Sequence, residues 1–432
     1  MTTRAVVLGG SIAGLLAARV LAETFTEVVV VDRDELLGVT TPRRGVPQGR
    51  HIHGLLARGH QILDELFEGF TEDALAGGAL TGDLGEHRWF FAGHEARKAV
   101  TGMKYISATR PVLEGFVRDR VAALGNVKFL EHHDVVGLVA SPDHKRVVGA
   151  RVHSGTESTV EGDLVVDATG RGSRTPAFLE ELGYGRPEEE RIKIDFSYTT
   201  RVYRLPDESV MDGVRSVNPL PSPVTRRSAF FSAMEDGKWV LSVGGVLGDR
   251  APADPEGFME YVRSLPVPDI HRVVADAEAI TEPVSFRFPD SVRPRYDRLA
   301  RLPDGLVVLG DAACSFNPVY GQGMTVAAQE ALVLREHLRR GQPEPRAFQR
   351  AIAKVVDVPW GVSAGGDLAY PEVVGPRPLK VRIMNAYMGK VMGAACRDPE
   401  VLTAFMRVAG LVDPPQALLK PAMARRVLRR SR

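Results

Sequence analysis

Arg4 to Asp34 reads RAVVLGGSIAGLLAARVLAETFTEVVVVDRD, and this stretch decides the fold. AVVL and EVVVV are apolar runs of strand length, and SIAGLLAARVLAET between them has helical spacing, so the order is strand, glycine turn, helix, strand. Gly9 takes the first place of the dinucleotide fingerprint G-x-G-x-x-G, Ser11 replaces the second glycine and Gly14 takes the third. The first glycine allows the tight turn and the third lets the helix lie close to the strand. The small Ser11 still lets backbone approach a pyrophosphate at the positive helix end, where its hydroxyl is able to donate. Asp32 closes the second strand, where a carboxylate accepts from both hydroxyls of an adenosine ribose. NAD and FAD are not separated here, and a glycine turn in an ordinary parallel sheet, with Asp32 solvated, shares the pattern.

A second stretch, residues 305–338, reads GLVVLGDAACSFNPVYGQGMTVAAQEALVLREHL. A buried strand, Leu306 to Leu309, passes through Gly310-Asp311 and a loop stiffened by Pro318 into a long amphipathic helix. The strand delivers a carboxylate at Asp311, and Gly321 and Gly323 free backbone amides at a helix end that favours partial negative charge. A flavin needs such parts: a carboxylate for a ribityl hydroxyl, and amides for the electron-rich N1/C2=O edge of the reduced ring.

On these residues the chain resembles the FAD-dependent aromatic hydroxylases, the para-hydroxybenzoate hydroxylase-like group, whose second flavin motif runs GDAA…P…GQG into a helix. SFNPVYGQGM after GDAAC is most similar to the flavin epoxidases of polyether antibiotic biosynthesis and to geranylgeranyl-reductase relatives, with Cys314 where a histidine is usual. The resemblance implies FAD rather than NAD. It assigns to the cofactor Gly9, Ser11, Ala13 and Gly14 in the first turn, then Asp32 and Arg33 after the second strand. From the second motif it adds Asp311, Pro318, Gly321, Gly323 and Met324. RRGVPQGRHIHGLL (Arg43 to Leu56) is similar to the segment beside the flavin in those epoxidases, which brings in Arg44 and Gln48. The same segment also reads as a Pro/Gly loop with Arg43, Arg44, His51 and His53 in solvent. SATRPVLEGFVRDRV sets Arg110 at the strand-to-helix position where the family's arginine meets the FAD phosphates, a role that suits a planar fork of donors. Val135 completes the expected contacts. DLVVDATGRGSRTPAFL (Asp163 to Leu179) departs from the group, which ends this strand in Asp-Gly, a motif associated with both FAD and NADPH pyrophosphate. Here Thr169 precedes Gly170 and Asp167 lies two places earlier, which weighs against direct, rapid reduction by NADPH. A plain turn around Gly170, Gly172 and Arg174 is equally open.

The chain has 432 residues, 44% hydrophobic and 25% charged, which suits two packed domains with a helical appendage and excludes a disordered or fibrous chain. Lys+Arg 55 against Asp+Glu 54 leave a net charge of +1, no long-range field for nucleic acid or an anionic membrane. Cys314 and Cys396 are too few for a disulfide framework, no leader pattern precedes the first apolar run, and no such run approaches the roughly 20 residues that cross a bilayer. These readings predict a reduced, cytoplasmic protein with no nucleic-acid partner and no membrane span. There is no pair of carboxylates, H-E-x-x-H, Cys/His metal spacing or G-x-S-x-G elbow, so hydrolase and metalloenzyme readings fall.

Because the cofactor segments lie far apart, the expected fold is α/β with three parts. A discontinuous Rossmann-like FAD-binding domain takes residues 1–75, 100–186 and 285–358, an inserted, mainly antiparallel substrate sheet takes 76–99 and 187–284, and a helical region takes 359–432. Alternation in FSYTTRVYRL, RRSAFFSAM and KWVLSVGGVL predicts antiparallel strands with one wetted face. A pocket at such a junction has apolar walls and a few polar groups. Tyr203, Phe231, Trp239 and Phe288 are its expected lining, although aromatic residues at alternating positions also build sheet cores. The tail AMARRVLRRSR carries Arg425, Arg426, Arg429, Arg430 and Arg432, suited to a membrane surface, an acidic carrier protein or plain solvation.

The resemblance implies a monooxygenase in which reduced FAD reacts with oxygen at C4a. The resulting hydroperoxide passes one oxygen atom to an alkene or aromatic carbon of a polyketide or terpenoid-like specialised metabolite. NADPH, or reduced flavin from a partner reductase, supplies electrons. The protein's share is a dry pocket, a proton near the distal oxygen and an oriented substrate, with no acid or base residue singled out. Two readings compete: a flavin-dependent prenyl reductase, and a non-redox cyclase that keeps FAD for support. Flavin halogenases carry W-x-W-x-I-P and an active-site lysine, and Lys238-Trp239 has no second tryptophan after it, which disfavours halogenation.

Overall fold

The computed structural model describes residues 3–431. Arg4–Leu8 becomes the central strand of a five-stranded parallel sheet, in the order Leu306–Val308, Leu164–Asp167, Arg4–Leu8, Glu27–Val31, Val127–Leu130. Its run of Ala, Val and Leu follows from coverage of both faces, since residues 5–8 are all buried. The Ile12–Leu21 helix returns over the sheet and packs against the Gly323–Leu338 helix. Leu8 is in register with Val31 on one side and Asp167 on the other, and Asp167 with Val308, so four strand ends converge beside Gly9. Open parallel sheets bind ligands at this end.

A larger eight-stranded sheet takes its strands from two excursions of the chain. Glu189–Arg204, Lys238–Gly245 and Arg227–Ala233 run antiparallel, and Ser216–Leu220 joins Arg88–Phe91 in parallel. The expected wetted face is confined to Glu189, Arg191 and Lys193 at the start of the first strand; beyond them both sides of the sheet are covered. Phe231, Leu241 and Val243 pack on Phe258, Val262 and Ile270 of two short helices, and the opposite face looks into a cavity. Burial on both faces explains why Ser197, Thr199 and Thr200 are all spent on hydrogen bonds inside the protein.

Two expected boundaries cut through elements. Val284–Pro294 was assigned from 285 onward to the cofactor part, but it pairs with Glu189–Arg204 in the large sheet, because VSFRFPDSV alternates and buries Phe288. Pro359, expected to open the helical region, lies inside the Pro345–Asp367 helix, where it is buried and the helix runs on without its N–H. Beyond it, Leu379–Ala395, Pro399–Ala409 and Pro421–Arg430 share a core of Val391, Leu402, Phe405 and Val427. Phe405 meets Phe91 edge-on at 5.3 Å, which ties this bundle to the sheet. In the tail, Arg426 is paired with Asp398 and Glu400, so part of the basic run is neutralised internally; Arg432 lies outside the described residues. No helix among the described residues is long and apolar enough to cross a membrane.

Candidate active site

The glycine turn is tight for a stated reason at each end. Gly9 has φ +102°, and a Cβ there would overlap the Ala168 carbonyl, while a Cβ at Gly14 would overlap the carbonyl of Gly9 itself. Ser11 starts the helix without a side-chain cap. Its hydroxyl donates to Glu114 Oε2 at 2.7 Å and accepts from Arg110 Nη2 at 3.0 Å, so its proton is already spent and the helix offers backbone N–H groups instead. Asp32 sits across the turn and accepts from the Gly10 N–H at 2.6 Å through Oδ2 and from the Asp34 N–H at 2.9 Å through Oδ1. Burial raises its carboxyl pKa against those hydrogen bonds and the charge of Arg43.

Glu114 organises the arginines here. It is buried, accepts from Arg43 at 2.5 Å and Arg110 at 3.1 Å, and lies 3.7 Å from Arg118. Burial alone would raise its pKa, but Arg110 and Arg43 outweigh that and hold the carboxylate low. Arg43 also lies 3.2 Å from Asp34 and 3.6 Å from Asp32. Between the two neighbouring arginines it is therefore Arg43 that is buried in this network, while Arg44 is exposed and Gln48 lies half-buried in a short turn. Arg33 is exposed and pairs with Asp134, next to Val135 on an adjacent strand.

The second motif closes on the first. Gly310 has φ +67°, and a Cβ on it would stand 2.7 Å from that of Ala13, so the two turns touch. Gly310 donates its N–H to buried Glu330 at 2.5 Å, and Glu330 is pushed up to about 8 by burial. Asp311 points to the start of the Gly323–Leu338 helix, 3.6 Å from where a Gly323 Cβ would be. Burial raises its pKa, with Arg110 and Arg171 acting against the shift. Pro318–Tyr320 form a single turn, Gly321 takes the left-handed conformation at φ +64°, and the helix begins at Gly323 and Met324 with no side-chain cap. Gln322 Oε1 is buried without a partner among the described residues. Two uncapped helix ends, Arg110 at one and Asp311 at the other, fit a cofactor that carries a pyrophosphate and a polyol.

Beside this turn lies a cavity of about 1300 Å3, its walls including Ile52–Leu56, Pro318–Gln322, Phe230, Met234 and Met384. His53 donates from Nδ1 to the His51 carbonyl at 3.0 Å, and burial depresses its pKa to about 3, so the ring stays neutral. Asp367, at the end of the Pro345–Asp367 helix, accepts on Oδ1 from Asn317 at 2.9 Å and from Tyr320 at 3.3 Å, while Oδ2 has no partner among the described residues. Burial pushes this carboxyl up to about 7.

With this geometry in view, a family model for FAD-dependent oxidoreductases matches residues 5–211. Protein Rv3254 of Mycobacterium tuberculosis is 35% identical over 95% of this chain and 90% of its own length. The chain belongs to the FAD-dependent oxidoreductase family. Kynurenine 3-monooxygenase of Salinispora tropica is 29% identical over 78% of the chain and 72% of that protein, so the oxidoreductase has monooxygenase relatives. The flavin-dependent brominase Bmp2 shares its fold, with a TM-score of 0.70 at 17% identity over 99% of this chain and 98% of that one.

The four aromatic residues expected to line the oxidoreductase's pocket lie elsewhere. Tyr203, Phe231 and Trp239 form part of the core under the two short helices, with Phe231 and Trp239 rings 4.8 Å apart. Phe288 lies beneath the Arg171 guanidinium at 4.5 Å. The alternation was read correctly but on the wrong face: Phe230, Ser232 and Met234 meet the cavity, one residue out of step with Phe231. Sequence reading also missed Glu114, Glu330, Asp367 and the methionines. Met384, Met388 and Met392 recur at every fourth residue of one helix and all reach the cavity, a spacing that was available to find them.

Proposed function

We propose that this oxidoreductase is a monooxygenase, an epoxidase or hydroxylase, that places one atom of molecular oxygen on an apolar polyketide or terpenoid-like metabolite in the cytoplasm. The observation that carries the reading is the large, mainly apolar cavity walled partly by the Pro318–Gln322 turn. At about 1300 Å3 it exceeds the roughly 300–1,000 Å3 of most small-molecule pockets. FAD is held, on this reading, by Gly9, Ser11, Ala13 and Gly14 at the first turn, Asp32 at the ribose and Arg110 at the pyrophosphate, with Arg43 behind it. Asp311 takes the ribityl chain, and Gly321, Gly323 and Met324 take the ring edge. When bound, FAD supplies the activation of oxygen.

The chain's own residues do the rest. Apolar walls, Phe91, Leu220, Phe230 and Met388 among them, exclude water from the substrate. Asp367 holds a proton at the wall up to about pH 7, and because Oδ1 already accepts twice, that proton sits on Oδ2. Thr169 stands where the group's Asp-Gly aspartate would, and its hydroxyl is spent on Asp167 at 2.6 Å, which also accepts from the Thr169 N–H at 2.9 Å and from Ser173 at 2.5 Å. That engagement favours reduced flavin from a partner reductase over direct attack by NADPH.

The test is turnover of squalene, geranylgeraniol and emodin under 18O2, with NADPH and an added flavin reductase, read by mass spectrometry. A product bearing one 18O supports the proposal. Saturated product without label assigns a prenyl reductase, and product formed without oxygen or donor assigns a cyclase; either outcome overturns it.

A further inference from the structure

We propose that the sheet end of the cavity is a subsite for a neutral hydroxyl group of the substrate, held between the Asn218 amide and the His87 imidazole. The proposal rests on the cavity being the substrate site, not on the transfer of oxygen. Ser216–Leu220 and Arg88–Phe91 pair in parallel, with Asn218 opposite Trp89 and Leu220 opposite Phe91, and Ser216 faces Ser232 across the next pair. Alternation therefore turns Ser216, Asn218 and Leu220 to the cavity on the same face as Trp89, Phe91 and His87, the residue before the strand.

The hydrogen bonds on this face have a forced direction. Ser216 Oγ donates to Asn218 Oδ1 at 2.9 Å, and a hydroxyl has one proton, so the 2.6 Å bond to Ser232 is donated by Ser232. The chain ends on Asn218, whose acceptor is used and whose Nδ2 has no partner among the described residues although the residue is 2% exposed. His87 Nε2 is likewise buried without a partner, its ring 4.3 Å from that of Tyr105. Burial depresses the His87 pKa to about 4, so the neutral ring can offer a lone pair at Nε2. The register that sets Val217 opposite Arg88 puts Asn218 and His87 diagonally on one face of this strand pair, and a donor without an acceptor and an acceptor without a donor there are costly dry, whereas a hydroxyl supplies both.

The same end is wrong for a carboxylate. The charge acting on His87 is that of Asp83, and those acting on Tyr105 are Glu86 and, opposing it, Arg215. Lys104 borders the cavity but is exposed. The body of the ligand meets Phe91, Leu220 and Phe230, and Met384, Met388 and Met392, whose unbranched side chains adapt to shape. The ligand class is an apolar phenol or alcohol, not an amino acid or an organic acid.

Three probes that differ in one group test this: 1-hydroxypyrene, pyrene and 1-pyrenecarboxylate, measured by equilibrium dialysis against the FAD-loaded protein at neutral pH. The expected order is hydroxypyrene about tenfold tighter than pyrene, and the carboxylate weakest. Asn218→Leu should bring hydroxypyrene down to the affinity of pyrene while leaving pyrene itself unchanged, which also shows that the cavity is intact. Equal binding of hydroxypyrene and pyrene, tightest binding of the carboxylate, or a preference that survives Asn218→Leu would each overturn the proposal. Binding of none of the three overturns the cavity as an apolar substrate site, and the subsite with it. Absence of 18O transfer in a protein that binds in the expected order overturns the monooxygenase reading alone.

Discussion

Glu114 lies buried beside Arg43, Arg110 and Arg118, and Glu114→Gln removes the counter-charge those guanidinium groups share, leaving Arg43 with Asp32 and Asp34 alone. Breaking one side of such a network costs about 3–5 kcal/mol, so urea unfolding should show a loss of that order, against almost none for Glu336→Gln, whose pair with Arg340 is exposed. Arg43 and Ser11 reach Glu114 from distant parts of the chain, which is why its importance was not legible. Only the four-residue spacing of Arg110, Glu114 and Arg118 along one helix face hinted at it. Asp311 was legible because its neighbours in sequence carry the motif. Asp311→Ala should weaken FAD retention about 10–100-fold, read by fluorescence of released flavin, and full occupancy at ordinary affinity would count against the cofactor assignment. Asp367 and Glu330 both have raised pKa values, to about 7 and about 8. The folded protein therefore binds more protons than the unfolded chain from about pH 4 to 8, and stability falls as pH rises through that window. The double variant Asp367→Asn, Glu330→Gln should flatten the decline, an effect on the order of a few kcal/mol in urea melts at pH 5 and 8.5.

At the scale of elements, the parallel sheet and its two glycine turns could be read because each is encoded locally: an apolar run, a glycine that must take positive φ, a helix start. The inner sheet was legible as strands but not as faces. Period-two alternation says which residues share a side, and only the packing of the Pro255–Arg263 and Asp269–Val274 helices decides which side is sealed. Phe230 and Phe231 separate the two consequences. Phe231→Ala, in the sealed core, should cost about 3–5 kcal/mol of unfolding free energy and leave affinity for pyrene little changed. Phe230→Ala should do the reverse, weakening pyrene several-fold with a small shift in melting temperature. The boundary expected between 358 and 359 falls inside the Pro345–Asp367 helix, which runs through the buried Pro359 to Asp367.

For the whole molecule, the proposed cofactor contacts draw on the first turn, the Arg43 loop, the Arg110 helix and the Gly310–Met324 segment, so on that assignment FAD would cross-link parts that are remote in the chain. Stripping FAD should lower the melting temperature, and adding it back should raise it progressively with concentration, by about 2.7 kcal/mol of stability at 100 times the dissociation constant. A melting temperature indifferent to added FAD would argue for a cofactor that is not bound by the folded state. The touching of Ala13 and Gly310 has a consequence for how the protein is made. A ribosome adds about 5–20 residues per second, so the glycine turn leaves it tens of seconds before the strand that completes it exists. Through that interval the first helix has sheet neighbours but no partner for its exposed face, which is where a nascent chain would recruit a holdase. Flavin loading must then wait until the Gly310–Met324 segment has been made, and overexpressed protein should accumulate as colourless apoprotein whenever synthesis outruns the supply of free flavin.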